Sequence, residues 1–321
     1  MNKTESRGPP VDDVTGAAGA RPERALVLVR GIGDVASAVA HRLSLDGLPV
    51  ALHQGAEAPL THRRRMGFAD AWFDGEAELA GLRGCRLGCL SSLAPMLREQ
   101  RTIPVITAEF GETLDALRVD VLIDARMRKR DRPADQRGLA PLVVGLGPGF
   151  VAGGNVDWAV ETAWGDSLGL VIREGSPLPL SGEPQPIGNV GRERVVYASR
   201  GGRWCIRKDI GDTVAADEIV ADLDGVSVMA PISGTVRGIV RDGVSVGAGT
   251  KVLEIDPHPL MEMHGGTLAL DSIDGEGTTV RARFPAERIV RPQSTVERPP
   301  QRHSSFLSPG HCSYEDRSLS T

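Results

Sequence analysis

Aromatic residues are scarce in this chain of 321 residues: 4 Trp, 2 Tyr and 6 Phe amount to 4% of it. Its cores must therefore be built from Val, Leu, Ala and Ile. Cysteine is scarce too. Cys85, Cys89, Cys205 and Cys312 have no repeated spacing suited to a disulfide framework and follow no secretory signal, which points to reduced thiols and a cytoplasmic location. The pair Cys85-x3-Cys89 is too isolated to hold a metal, and no metal site is expected. No apolar run approaches the ~20 residues of a membrane span. An excess of positive charge is missing as well: the net charge of -5 argues against nucleic acid or an anionic membrane as partner. What remains, 40% hydrophobic and 25% charged residues, is the composition of a globular protein long enough for two or three domains.

Two glycine-rich turns stand out from that background. Gly31-Ile32-Gly33-Asp34-Val35-Ala36 follows an apolar run, Ala25–Val29, and Gly145-Leu146-Gly147-Pro148-Gly149 follows Leu142–Val144. Glycines there let a strand end in exposed backbone N–H groups, and a helix beginning beyond each turn would add its positive dipole end, so a small anionic ligand of nucleotide or pterin type is expected. Gly31-x-Gly33-x-x-Ala36 also has the spacing of a dinucleotide fingerprint. The acid that should follow about 20 residues later is absent, since His53-Gln54-Gly55 stands there and Glu57 comes late. A nicotinamide dinucleotide would lack its ribose acceptor. The run Thr61-His62-Arg63-Arg64-Arg65 reads two ways: guanidinium groups for a phosphate, or a solvated helix start.

Along the chain, residues 1–24 are polar and rich in Gly, Pro and Ala, as in a disordered tail. Over 25–185 apolar strands (Ala25–Val29, Pro49–His53, Arg118–Asp124) alternate with amphipathic stretches such as Asp34–Leu45, the rhythm of an α/β, Rossmann-like parallel sheet. Its ligand crevice should lie at the carboxyl ends of the strands, with both glycine turns facing it. A Pro/Gly-dense boundary at 175–186 precedes short β-branched runs over 194–257 (Val195–Tyr197, Ile219–Leu223, Gly225–Met229, Gly234–Val240, Lys251–Ile255), a small all-β module. Residues 285–321 again have too little apolar content to pack.

Several segments together are recognisable. Val29-Arg-Gly-Ile-Gly-Asp-Val-Ala36, Arg63-Arg64 with Phe68-Ala-Asp-Ala71, Asp124-Ala-Arg-Met127, Gly145-Leu-Gly-Pro-Gly-Phe150, Asn155-Val-Asp157, Glu161-Thr162, Lys208-Asp-Ile-Gly-Asp-Thr213 and Ala230-Pro-Ile-Ser-Gly-Thr235 resemble, in that order, the YqeB family over roughly residues 25–257. That family comprises bacterial accessory proteins associated with selenium-dependent molybdenum hydroxylases and related to xanthine dehydrogenase accessory factors. The resemblance implies a role in maturation of such an enzyme, a hydroxylase as client, and a molybdopterin-type cofactor or a nucleotide as ligand; whether the chain itself catalyses a reaction is left open. Within the matching segments Asp34, Arg63, Arg64, Asp124, Arg126, Asn155, Asp157 and Glu161 join the turn glycines as site candidates. Asp34 and Asp157 could instead cap helices, the latter one running through Trp158–Trp164.

The β module resembles the barrel-sandwich hybrid of biotinyl and lipoyl carriers, yet its hairpin Asp224–Met229 lacks the lysine that carries the prosthetic group, and Lys208 and Lys251 lie outside it. The module is therefore expected to be structural or a docking surface. Within an expected hairpin segment at 258–284, residues 260–284 resemble the end of a histidine kinase ATP-binding domain in His264-Gly265-Gly266, Asp271-Ser272 and Gly275-Glu-Gly-Thr-Thr279, without the asparagine box, the glycine lid motif or a phosphoacceptor helix. A hairpin left by gene fusion is expected there. The competing readings are an NAD(P)-dependent oxidoreductase using the first turn and a remnant sensor kinase.

Overall fold

The computed structural model of the chain describes residues 24–99, 101–128, 132–180, 182–184, 186–187, 189–257, 267–273 and 277–283. The expected tails at 1–24 and 285–321, apart from Arg24, lie outside the described residues, as do Cys312 and His264-Gly265-Gly266.

The first part runs β1 (Val27–Arg30), α1 (Asp34–Leu45), β2 (Val50–His53), α2 (Ala69–Asp74), β3 (Glu76–Leu79), β4 (Leu82–Leu87), α3 (Leu93–Met96), β5 (Thr102–Ile106), α4 (Phe110–Ala116), β6 (Val121–Asp124), β7 (Leu142–Leu146), β8 (Trp158–Val160) and β9 (Val171–Ile172). Its strands form one sheet in the order β3-β4-β5-β2-β1-β6-β7-β8-β9. The seven strands from β4 to β8 are parallel, and only the edges, β3 and β9, are antiparallel. The class is thus α/β with a mixed sheet and few helices. A parallel sheet covered on both faces needs apolar residues in succession. Accordingly Val27 and Val29 pack with Ala36, Ala40 and Phe68 on one face, while Leu28 packs with Ala51, Leu122, Val143 and Phe150 on the other. Helix α1 turns small residues, Ala36, Ser37 and Ala40, to the sheet. The Ser37 hydroxyl donates to the Ile32 carbonyl (3.1 Å) and accepts from the Phe68 amide (2.9 Å), pinning the turn and the loop after β2 together.

The second part, β10 (Val195–Tyr197), β11 (Gly202–Ile206), β12 (Thr213–Val214), β13 (Ile219–Leu223), β14 (Val226–Met229), β15 (Gly234–Ile239), β16 (Ser245–Val246) and β17 (Lys251–Asp256), makes two four-stranded antiparallel sheets, β10-β17-β15-β12 and β14-β13-β11-β16. Between them Trp204 is fully buried among Val220, Leu223, Val236, Ile239 and Leu253, its indole N–H donating to the Val240 carbonyl at 3.2 Å. One well-partnered aromatic fills what several smaller residues could not. The β13–β14 hairpin turns on Asp224 and Gly225, both at positive φ, as a two-residue hairpin requires. Lys208 pairs with Glu218 and Lys251 with Glu254, at 2.6 and 2.7 Å.

In a separate unit β18 (Thr267–Ile273) and β19 (Gly277–Arg283) pair antiparallel with each other. No helix among the described residues is long and apolar enough to cross a membrane.

The second glycine turn departs from expectation. No helix starts beyond it: the chain passes through turns and a bridge between Ala152 and Val156 into β8, so neither the dipole expected there nor a helix over Trp158–Trp164 is present. Its glycines answer to packing. A Cβ on Gly145 would lie 2.2 Å from the Phe150 ring, and one on Gly147, at φ +87°, 2.6 Å from the Thr162 hydroxyl; Gly149 has φ +93°.

Candidate functional site

Between β1 and β6 the strand order reverses, so the chain leaves these two neighbours in opposite directions and a crevice opens above their carboxyl ends. Gly31 closes its floor. At φ +109° it passes so near the turn after β6 that a Cβ would meet the Ala125 carbonyl and the Arg126 Cα at 3.1 Å. Gly33 differs. It stands at the N-cap of α1 with φ −68° and ψ −176°, makes no side-chain cap, and a Cβ there would meet nothing within 4 Å. Neither backbone strain nor packing calls for glycine at 33, and the space it leaves lies in front of the helix amides.

The crevice has a volume of about 660 Å³, and Gly31, Gly33, Asp34, His53, His62, Phe110 and Arg126 are among its walls. A smaller cavity of about 380 Å³ shares Arg30, Arg126 and Arg128 with it and adds Asp124, Arg132, Gln136 and Phe150. Of the second turn region only Phe150 reaches this space; Gly145, Gly147 and Gly149 line neither cavity. Both turns nevertheless stand at the same edge of the sheet, after the parallel strands β1 and β7 on either side of β6.

Asp124, the last residue of β6, is buried and accepts from Arg126 Nε and Nη2 at 2.9 and 2.5 Å and from Gln136 Nε2 at 2.8 Å. Burial would raise its pKa, but the Arg126 hydrogen bond and charge outweigh it and hold the carboxyl below its usual value. Arg30, at the end of β1, lies over the Phe110 ring at 3.6 Å and donates to Gln136 Oε1 at 2.8 Å. Burial, with the nearby Arg126 charge, lowers its pKa to about 10. His53, in the place of a ribose acceptor, is buried with Nε2 2.9 Å from the Ala108 carbonyl.

Asp34 holds Arg63 at 3.1 Å, and Arg63 continues to Glu254 of β17 at 3.0 Å. Arg64 donates to Asp70 (2.8 Å) and to Asp209, while Arg65 donates to Asp209 and to the Ile210 carbonyl. A short 3-10 turn does start here, over Arg64–Met66, but the arginines are partnered by carboxylates and a carbonyl, and the run fastens the loop after β2 to the β sandwich. Where they meet, a Cβ on Gly238 would lie 2.9 Å from the His62 carbonyl.

The remaining candidates serve the main chain. Asn155 accepts from the Val151 amide and donates to the Pro133 and Gly149 carbonyls. Asp157 accepts from the Val143 amide at 2.7 Å. Buried Glu161 accepts from the amides of Thr162, Ala163 and Leu178, which overcome the effect of burial and keep its pKa low. The structure thus brings together Gly31, Gly33, Asp34, Asp124 and Arg126. Sequence reasoning missed Arg30, Arg128, Arg132 and Gln136; a charge ending an otherwise apolar strand was the signal at Arg30.

Fold and crevice together define an α/β protein with a ligand-sized cleft at a strand-order reversal, joined to a β sandwich. Over 232 residues, 72% of the chain, the sequence is 35% identical to the uncharacterized protein YqeB of Escherichia coli strain K12, and the chain spans 42% of that protein's length. This similarity supports the kinship with the YqeB family that the motifs carry. No family model matches. Among solved structures, the product-bound ectoine utilization protein EutE (DoeB) from Ruegeria pomeroyi shares 16% identity with a TM-score of 0.21, covering 36% of this chain and 58% of that one. An aspartoacylase family protein from Mesorhizobium loti shares 11% with a TM-score of 0.23, covering 74% and 86%. At these scores neither likeness bears on fold or activity.

Proposed function

We propose that the chain is a cofactor-maturation accessory protein: a Rossmann-like domain with a barrel-sandwich-like module that binds a small anionic pterin or nucleotide and serves a molybdenum hydroxylase, of the selenium-dependent kind, as client. Gly33 carries the binding half of this reading. A glycine needed by neither conformation nor packing, at the N-cap of a 12-residue helix and facing a crevice, leaves room for a phosphate to approach the first-turn amides, of which that of Val35 already donates to Asp34 Oδ1 at 3.0 Å. The residues present fit a phosphorylated pterin: the α1 amides would receive its phosphate, and Arg126, kept in place by Asp124, would face it across the crevice. The maturation half rests on the role implied by the family resemblance of the sequence motifs, since the matched YqeB protein is itself uncharacterized.

Native mass spectrometry of the protein purified from a molybdenum-replete host tests the reading. The expected spectrum shows an added mass in the wild type that Gly33→Val loses while its melting temperature stays unchanged. No added mass, or the same one in both proteins, would overturn it. An NAD(P)-dependent oxidoreductase remains the runner-up on the strand-turn-helix geometry at Gly31–Gly33. It is disfavoured because His53 is committed to the Ala108 carbonyl where the ribose acceptor should stand.

A further inference from the structure

The smaller cavity behind Arg30 gathers more positive than negative charge. Among the described residues four guanidinium groups, of Arg30, Arg126, Arg128 and Arg132, line it against one carboxylate. Both oxygens of that carboxylate, Asp124, are already taken by Arg126, with Gln136 adding a third donor. Arg30 reaches it only at 3.8 Å. The Arg30 side chain is 14% exposed, and its buried Nε has no hydrogen-bond acceptor. The exposed Arg128 and Arg132 have neither a hydrogen bond nor an ion pair among the described residues.

A buried donor left unpaired costs roughly 1–3 kcal/mol, and gathering like charges around one space adds Coulomb repulsion. An oxyanion removes both penalties at once, since planar guanidinium groups match its oxygens in pairs. Burial, and after it the charges of Arg126 and Arg128, depress the pKa of Arg30 in spite of Asp124.

We propose that this arginine pocket is a second anion subsite that takes a phosphate group, so that the ligand of the crevice carries two anionic groups, one before the α1 amides and one here. The inference rests on the crevice being the ligand site, because Arg30, Arg126 and Arg128 border both spaces. It narrows the ligand class to a phosphorylated molecule with at least two separated negative charges, such as a nucleoside or pterin diphosphate.

The test titrates the full chain with inorganic phosphate at constant ionic strength, read by calorimetry and by melting temperature. The proteins compared are wild type, Arg128→Gln/Arg132→Gln and Gly33→Val. Phosphate is expected to bind the wild type, to bind the double variant about tenfold or more weakly, and to stay bound in Gly33→Val. The double variant should melt as the wild type does without phosphate, because neither side chain has a partner to lose. Equal affinity in wild type and double variant would overturn the inference, and so would phosphate effects no larger than those of chloride at the same ionic strength. Phosphate binding lost in Gly33→Val alone would overturn the second subsite and leave the first. Loss with the arginines, combined with an added mass that Gly33→Val retains, would instead sink the proposed function and leave the arginine pocket standing.

Discussion

Glu254, fully buried on β17, receives His62 Nε2 at 2.9 Å, Lys251 Nζ at 2.7 Å, Arg63 at 3.0 Å, Arg194 at 2.5 Å and Arg237 at 3.4 Å. Burial opposes its ionisation, but the His62 hydrogen bond and the charge of Arg63 outweigh it, and its carboxyl stays far below the carboxylate range. Glu254→Gln leaves the buried Arg194 and the part-buried Arg63, Arg237 and Lys251 facing a neutral amide, so the urea midpoint at pH 7 should fall by an amount equivalent to about 3–5 kcal/mol. The pH dependence follows from the same residues. Glu254 and Asp124 have folded pKa values below the unfolded ones, so their stabilisation is complete above about pH 5 and is lost on acidification as the unfolded chain takes up protons the folded one refuses. His53 and His62, whose pKa values burial lowers, act in the same direction from about pH 6.5 downward. Urea midpoints should therefore be level between about pH 7 and pH 8 and decline in two stages below that range. Glu254→Gln should flatten the second stage; an unchanged acid limb would contradict the assignment.

At the scale of elements, what the sequence makes legible depends on whether the cause is local. Helix α1 spans Asp34–Leu45 as its spacing predicts, because small residues on one face and a glycine before Asp34 specify it within a dozen positions. The runs Val195–Tyr197 and Ile219–Leu223 are strands with the expected bounds, their β-branched residues bracketed by turns. The second glycine turn misleads because glycine answers to three demands that look identical in a sequence: positive φ at Gly149, contact with Phe150 at Gly145, and open space at Gly33. The two glycines of the first turn separate these causes experimentally. Gly31→Ala forces an L residue to φ +109° against the Ala125 carbonyl and should lower the denaturant midpoint by the equivalent of about 1–3 kcal/mol. Gly33→Ala, at ordinary φ in open space, should leave it within about 0.5 kcal/mol. Equal losses would show that Gly33 is held by the fold.

Over the whole molecule, the joint between sheet and sandwich was the least legible part. Arg63 and Glu254 are 191 positions apart and Arg64 and Asp209 145, so a basic run that looks like a ligand site from its neighbours turns out to have its partners in the distant β sandwich. Local charge says that arginines need anions; only the fold says which. The β18–β19 hairpin belongs to the other unit, and its strands pair with each other alone among the described strands. An isolated two-stranded ribbon is marginal in water. Truncation after Pro257 should therefore leave the melting midpoint and any phosphate affinity of the remainder unchanged, as scanning calorimetry and titration would show; a midpoint lowered beyond error would mean that the segment is integrated.

The arginine-lined pocket sits inside a chain whose net charge is -5. If the pocket takes phosphate as proposed, bulk would decide which anions reach it: a compact phosphate is small enough for a cavity of about 380 Å³ and would come within the Debye length of about 8 Å of the arginines, whereas a strand of nucleic acid is too wide to enter. Size exclusion becomes a means of choosing between anions, without any contact to the part of the molecule that is rejected.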